Sequence, residues 1–430
     1  MLINLKAFKI SVLFMKKYDV VVIGGGPSGA ISAWRLAENK VNVVLLEKGS
    51  RLRVKPCAGG ISNGCYNLLK VPDELVERKI VKGLVVSRSN KSVYVGSAKE
   101  PGFIVYRPAY DKWLMDSAEK AGADVINNAK ATKIKIFEDK VEVTAEVEGK
   151  EEKYEAEVLI GAYGMESNLS KQLGIETPKY INVIQYELEL PEKIIDERIG
   201  DAIEVYFNQA YSQLAYVWMF PRRDVVEVGL HFYAGTNAKM MIERLDKFIK
   251  EHPIASEKLK GAKIRLVEGK KLVADTIPTE PLKKTYGHRF VVVGDAAGLV
   301  DPYSYEGIFY ALRSGIIASE VIAKALEEND LSETSLKRYQ DRWMKEIYEE
   351  EIKYAMKLHK MSYGHDLSDD LVDALVEAAI EDRELRRIMG WLLNHKYSRK
   401  YAYNALKAKQ SLIIKKLGLI KSLKLLFKTL

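Results

Sequence analysis

Four consecutive apolar residues, Val20 to Ile23, run into the turn Gly24-Gly25-Gly26, after which apolar positions recur at helical spacing and a second apolar run ends at Glu47. That order predicts strand, turn, helix and strand. The stretch Val105 to Val125 reads as another helix, beginning near Arg107, and "ATKIKIF" behind it as a strand. Further on, "VEVGLHFY" alternates apolar and polar positions, the mark of an antiparallel sheet with one covered face. "RFVVVGD" is a buried strand entering a small-residue turn, and from Leu331 onward the pattern is helical and charged. No internal repeat or low-complexity linker interrupts this order.

With 430 residues, 47% of them hydrophobic, the chain has material for two or three domains with sizeable cores. Cys57 and Cys65 are its only cysteines, so no disulfide framework is expected and a reducing, cytoplasmic compartment is. The residues 1–14 read as a disordered extension, or as upstream of a true start at Met15, because Lys6 and Lys9 interrupt their apolar part. No run approaches the ~20 apolar residues of a membrane-spanning helix.

Charge is unevenly placed. The formal net charge is +8, yet after Glu384 there is no acidic residue and there are twelve Lys or Arg, so subtracting the tail's +12 leaves −4 on the rest. On a helix, Ile413, Leu417, Ile420, Leu423 and Phe427 share one arc, with Lys416 and Lys424 intruding. This composition predicts peripheral contact with an anionic membrane surface, on the inner face of the cell membrane. No groove-reading motif accompanies the charge, so a nucleic-acid partner is not expected. Six scattered histidines lack ligand spacing and predict no metal site.

The glycines Gly24, Gly26 and Gly29 have the spacing GxGxxG, with Ser28 inside it. One turns the chain, one lets backbone approach a pyrophosphate, and one lets helix pack on strand. Glu47, 23 residues beyond Gly24, is placed to accept from a ribose hydroxyl. NAD and FAD are not separated by this unit. Downstream, Asp295 follows a buried strand and is suited to polyol hydroxyls, while Gly307 and Ile308 open a helix whose N–H groups face an electron-rich ring edge. Together the two segments resemble the paired fingerprints of FAD enzymes of the para-hydroxybenzoate hydroxylase superfold, which implies FAD.

Between them lie "RVKPCAGGIS", Arg53 to Ser62, and "YVWMFP", Tyr216 to Pro221, followed by Val228-Gly229. This combination, over roughly Met15 to Gly315, resembles the geranylgeranyl reductase family, flavoenzymes that saturate isoprenoid chains. The resemblance implies an α/β fold with an α+β second domain: a Rossmann-like FAD-binding domain (15–75, 105–175 and 270–330), an antiparallel-sheet substrate domain (76–104 and 176–269), and a helical C-terminal region (331–430) with a basic tail. It implies that Cys57, Ala58 and Gly60 lie near the flavin, that Arg107 meets FAD, and that Ala129 touches the adenine side. It implies that Tyr216, Trp218, Phe220 and Pro221 wall a tunnel for a polyprenyl lipid. The external electron donor is a ferredoxin, a deazaflavin or NAD(P)H.

Two positions depart from the pattern: Tyr163 replaces the carboxylate of an Ala-Asp-Gly turn, and Tyr305 stands where relatives often carry glycine. Saturating an isolated alkene needs a hydride and a proton, and Cys57 is the first candidate donor, Glu306 the second. His231 reads as a packed histidine. The expected activity is reduction of geranylgeranyl chains, such as those of archaeal-type ether lipid precursors. The alternatives are an FAD-dependent monooxygenase or halogenase of the same superfold, and a non-redox prenyl carrier resembling the GDP dissociation inhibitors.

Overall fold

The computed structural model describes residues 16–418 and 421–422. Its first sheet has five parallel strands in the order Phe290–Val292, Lys150–Gly161, Lys16–Ile23, Val43–Leu46 and Asp124–Ile126. Val20, Val21, Val22, Val44 and Leu45 are wholly buried, as expected of strands covered on both faces. Helix Pro27–Glu38 packs against helices Arg107–Ala121 and Ile308–Glu327. Gly315 makes the second contact possible: a Cβ there would stand 2.5 Å from the Ser28 carbonyl oxygen. An antiparallel meander, Ala129–Ile136 and Val141–Val147, is hydrogen-bonded to the start of Lys150–Gly161.

The second sheet runs Lys263–Ile264, Tyr180–Glu189, Val225–Tyr233, Leu214–Pro221, Ala202–Tyr206, Lys82–Val86 and Ser92–Val95, and Val273–Pro278 also pairs with Tyr180–Glu189. Alternation divides its faces. Val217, Met219, Val226, Val228 and Leu230 pack on Met241, Leu245 and Phe248 of helix Ala238–Glu251. The opposite face carries Val85, Val93, Val95 and Val205 against Val372, Val376, Leu385 and Met389 of the C-terminal helices. A third, small sheet joins Gly60–Ile61, Gly102–Val105 and Val76–Ile80. These pairings move two of the boundaries expected from sequence. Val273–Pro278, assigned to the cofactor domain, hydrogen-bonds into the substrate sheet, and Val76–Ile80, assigned to the substrate domain, joins the small sheet because its partner strand is Gly102–Val105.

Helix Glu333–Trp343 continues through a π-helical stretch, Met344–Ile352, into Lys353–Ser362. Helices Ser368–Glu381, Arg383–Asn394, Arg399–Ala408 and Gln410–Leu417 follow, and the side chains of Asp382 and Ser398 cap the second and third of these four. The tail differs from the membrane-facing reading. Ile413 and Leu417 pack on Leu367, Leu371 and Ala374, and Lys409, Lys416 and Lys421 pair with Asp382, Glu381 and Asp370. Asp370 and Glu381 of the acidic helix Ser368–Glu381, with Asp382 just past it, thus neutralise lysines that composition alone leaves free. Residues 1–14, Ile420, Leu423 and Phe427 lie outside the described residues. Among the described residues no helix is long and apolar enough to cross a membrane.

Candidate functional site

A cavity of about 460 Å³ opens at the carboxyl ends of the parallel strands. Gly24, Gly26, Ser28, Glu47, Cys57, Arg107, Ala129, Asp295, Gly307 and Ile308 line it. Gly24 has φ +109°, and a Cβ there would meet the Ala162 carbonyl oxygen at 2.2 Å. Gly29 lies beneath the turn, where a Cβ would stand 1.9 Å from the Gly24 oxygen. At Gly26 the nearest atom to a Cβ is Arg53 Nη2, 3.5 Å away, so a methyl group would fill the cradle itself. Glycines that press backbone together behind the turn and leave open space before it fit a pyrophosphate at a helix start.

Polar side chains ring this cradle. The Glu47 carboxylate accepts from the Gly25 and Gly49 N–H groups, at 2.7 and 2.8 Å, and pairs with Arg53 at 3.2 Å. Arg53 also reaches Asp111, which holds Arg107. Burial works against the Arg107 charge, but Asp111 and the Cys57 sulfur outweigh it and hold the guanidinium firmly protonated. Across the cavity Lys55 pairs with Asp295 at 3.2 Å, and that carboxylate raises the ammonium above its ordinary range. Arg53, Lys55 and Asp111 went unassigned in the sequence, because their partners lie far along the chain. Tyr163 also lines the cavity, and burial pushes its hydroxyl up to about 12.

A second cavity, about 210 Å³ and mostly apolar, lies between the second sheet, the small third sheet and helix Arg383–Asn394. Ala215, at φ +57°, sits in a bulge of strand Leu214–Pro221, after which Tyr216, Trp218 and Phe220 alternate onto the cavity face. Trp218 lies flat over Gly229 on the next strand, where a Cβ would be 2.2 Å from the indole. Tyr216 donates to the Ser304 carbonyl at 2.6 Å. Pro221, expected in this wall, falls with Val217 and Met219 on the opposite face, because the strand's period is two. Ala58 and Gly60 likewise face this apolar cavity and not the first one, since Gly59, at φ +66°, turns the chain tightly over Val105.

The cavities share Pro56, Cys57, Ile277, Tyr305, Gly307 and Ile308. Tyr305, at φ +55°, is the partition: its ring packs on His231 with centroids 4.6 Å apart. This left-handed backbone is one that glycine adopts more readily than tyrosine. His231 is buried between Tyr305 and Trp218, and burial lowers it to about 3, so it stays neutral. Behind Glu306 lies a charged chain that sequence reading missed. Ser62 donates to Glu306 at 2.6 Å, His395 bridges Glu306 and Glu351 at 3.2 and 3.1 Å, and Arg399 binds Glu351 through its backbone and Asp301 through its guanidinium.

Comparison with known proteins agrees with this architecture. The family of FAD binding domains matches residues 17–343. A digeranylgeranylglycerophospholipid reductase of Methanocaldococcus jannaschii is 35% identical over 353 residues, covering 80% of this chain and 88% of its own length. The chloroplastic geranylgeranyl diphosphate reductase of Arabidopsis thaliana is 30% identical, covering 77% of this chain and 71% of that one. The crystal structure of a geranylgeranyl bacteriochlorophyll reductase-like protein from Thermoplasma acidophilum has the same fold, with TM-score 0.79 over 94% of this chain and 99% of that chain at 24% identity. The glycine cradle, the apolar cavity beside it and these similarities converge: the chain belongs to the digeranylgeranylglycerophospholipid reductase family and is an FAD-dependent oxidoreductase.

Proposed function

We propose that the protein saturates double bonds of geranylgeranyl chains carried by ether glycerolipids. The observation that carries this reading is the apolar cavity walled by Tyr216, Trp218 and Phe220, which meets the cofactor cavity at Cys57, Tyr305 and Gly307. An isoprenoid chain has no polar handle along its length, so only burial of apolar area holds it, at about 25 cal/mol per Å². Rigid rings supply that area with little loss of entropy. The printed names of the similar enzymes share the geranylgeranyl group, which fits such a wall.

Bound FAD would supply the hydride. The Gly24–Gly29 turn would hold its pyrophosphate, Glu47 a ribose hydroxyl and Asp295 the polyol, with Arg107 and the backbone near Ala129 completing the cradle. Cys57 would bound the reacting alkene, and the aromatic wall would orient it and exclude water. Electrons would come from an external ferredoxin, deazaflavin or nicotinamide donor. Peripheral membrane contact would use the cluster of Trp391, Tyr397 and Tyr401, whose tyrosines are 40% and 54% exposed, with Arg387 over the tryptophan ring. That patch shares helix Arg383–Asn394 with the cavity-lining Gly390, Leu393 and Asn394.

Anaerobic incubation of the chemically reduced holoenzyme with a digeranylgeranyl glycerolipid, followed by mass spectrometry, tests the activity. Mass gained in steps of two hydrogens is the expected result. An unchanged lipid beside reduced, bound flavin would refute it.

A further inference from the structure

Among the described residues, Glu306 is the one carboxyl group lining the apolar cavity, and it lies beside Gly307 at the junction with the cofactor cavity. Its position is fixed from three elements. Ser62, at the start of helix Asn63–Leu68, donates to Oε1 at 2.6 Å; His395 Nδ1, just past helix Arg383–Asn394, meets Oε2 at 3.2 Å; and its own backbone oxygen accepts from Asp301 N–H at 3.0 Å. His395 has φ +48°, a left-handed conformation that ends its helix and turns both ring nitrogens onto carboxylates. Its Nε2 reaches Glu351 at 3.1 Å, and Glu351 belongs to the π-helical stretch Met344–Ile352. Such distortions commonly mark functional positions.

The groups around the imidazole form a closed set. Glu306 and Glu351 face its two nitrogens, Phe309 and Tyr310 pack on the ring with centroids 4.4 and 5.9 Å away, and the backbone of His395 lies against Gly64. Arg399 is a cation close to this set, and Asp301 takes up its charge. Burial opposes a charged His395, yet the two carboxylates prevail and raise it to about 9. Cys57 stands at the same junction without such backing. Its sulfur has the Arg107 guanidinium behind it, which holds its protons at all working pH values.

Resting on the reductase reading, we propose that Glu306 delivers the proton to the alkene, and that His395 and Glu351 form the relay that resupplies it. One alkene carbon takes the hydride of the reduced cofactor. His395, the charged member of this set, passes its Nδ1 proton to the Glu306 carboxylate as the N–H bond breaks, and the other alkene carbon forms a C–H bond with that proton as the new O–H bond breaks. The neutral imidazole left behind is recharged by a proton from solvent, while Glu351 holds its Nε2–H. Two hydrogens are added per double bond, one as hydride and one as a proton from solvent. Glu306 is the catalytic residue, and His395 and Glu351 are positioning residues.

Two measurements on the FAD-loaded protein test this. In oxidised holoenzyme labelled with ¹⁵N-histidine, the resonance absent from His395→Gln is expected to titrate near pH 9, and to move down by a unit or more in Glu306→Gln. In reduced holoenzyme, Glu306→Gln is expected to slow single-turnover saturation at least about 100-fold while binding FAD normally, with partial recovery in Glu306→Asp. His395→Gln and Glu351→Gln are expected to shift the pH profile of that step. Saturation by Glu306→Gln at the wild-type rate would overturn the relay, as would a His395 resonance unmoved by that substitution. Wild-type holoenzyme that saturates nothing would overturn the reductase reading instead. If Glu306→Gln fails to retain flavin, unaltered pH profiles in both relay variants would still overturn the proposal.

Discussion

Substituting Gly229 by alanine attacks the substrate wall from behind. The added methyl group would lie 2.2 Å from Trp218 Cζ2 and 2.5 Å from the Ile184 carbonyl oxygen, where ordinary contact begins at 3.4 Å. The carbonyl belongs to the strand Tyr180–Glu189, which is hydrogen-bonded to a partner on either side and cannot retreat. The indole must therefore yield by about 1.2 Å, and its open side is the apolar cavity. Overpacking of this kind costs about 1–3 kcal/mol. For 430 residues unfolding as one unit this lowers Tm by about 1–3 °C. Inside the cavity, displacing two ligand methylenes costs about 1.6 kcal/mol, a loss of roughly 15-fold in affinity. FAD binding should not change, because Trp218 lines only the apolar cavity. Calorimetric titration of a C20 prenyl alcohol and fluorescence titration of FAD check the two halves. Prenyl affinity and Tm both equal to wild type would refute the reasoning.

Gly29→Ala should do the reverse, abolishing FAD retention, because its methyl group would overlap the Gly24 oxygen at 1.9 Å; a yellow, flavin-saturated preparation would contradict this. Glu227 shares Arg222 with Glu187, which holds it more closely (2.7 against 3.5 Å), and burial raises Glu227 to about 8. The folded chain therefore keeps a proton that the unfolded chain releases above about 4.5, so stability falls as pH climbs from there towards 8. Glu227→Gln should leave Tm unchanged at pH 4.5 and raise it at pH 8.5, by a stabilisation on the order of a few kcal/mol; calorimetry at both pH values decides. Tyr397→Ala with Tyr401→Ala should weaken sedimentation with anionic vesicles several-fold without changing turnover of detergent-dispersed lipid.

The cofactor half of the molecule was legible because its signals are local. Gly24, Gly26 and Glu47 belong to one strand-turn-helix-strand unit, and each constraint acts within about two dozen residues. The face carried by Tyr216, Trp218 and Phe220 followed from a period of two, and the same period excludes Pro221, which was placed by analogy with the motif and not by counting. What escaped was whatever depends on separated segments. Arg53 meets Asp111, Lys55 meets Asp295, and Ser62, Glu306, Glu351 and His395 come together from four places along the chain. Part of the tail's surroundings escaped for a related reason. Its lysines were counted without the acidic helix that receives them.

The match to FAD binding domains ends at residue 343, and the roof of the substrate cavity begins after it. Glu351, Gly390, Leu393, Asn394, His395 and Arg399 all lie in the C-terminal helical region or its turns. Mutational drift in those helices can reshape what is reduced, and how fast protons arrive, while every residue of the glycine cradle stays as it is. Selection acting on those helices can therefore change the lipid without touching the cradle that would hold the hydride donor.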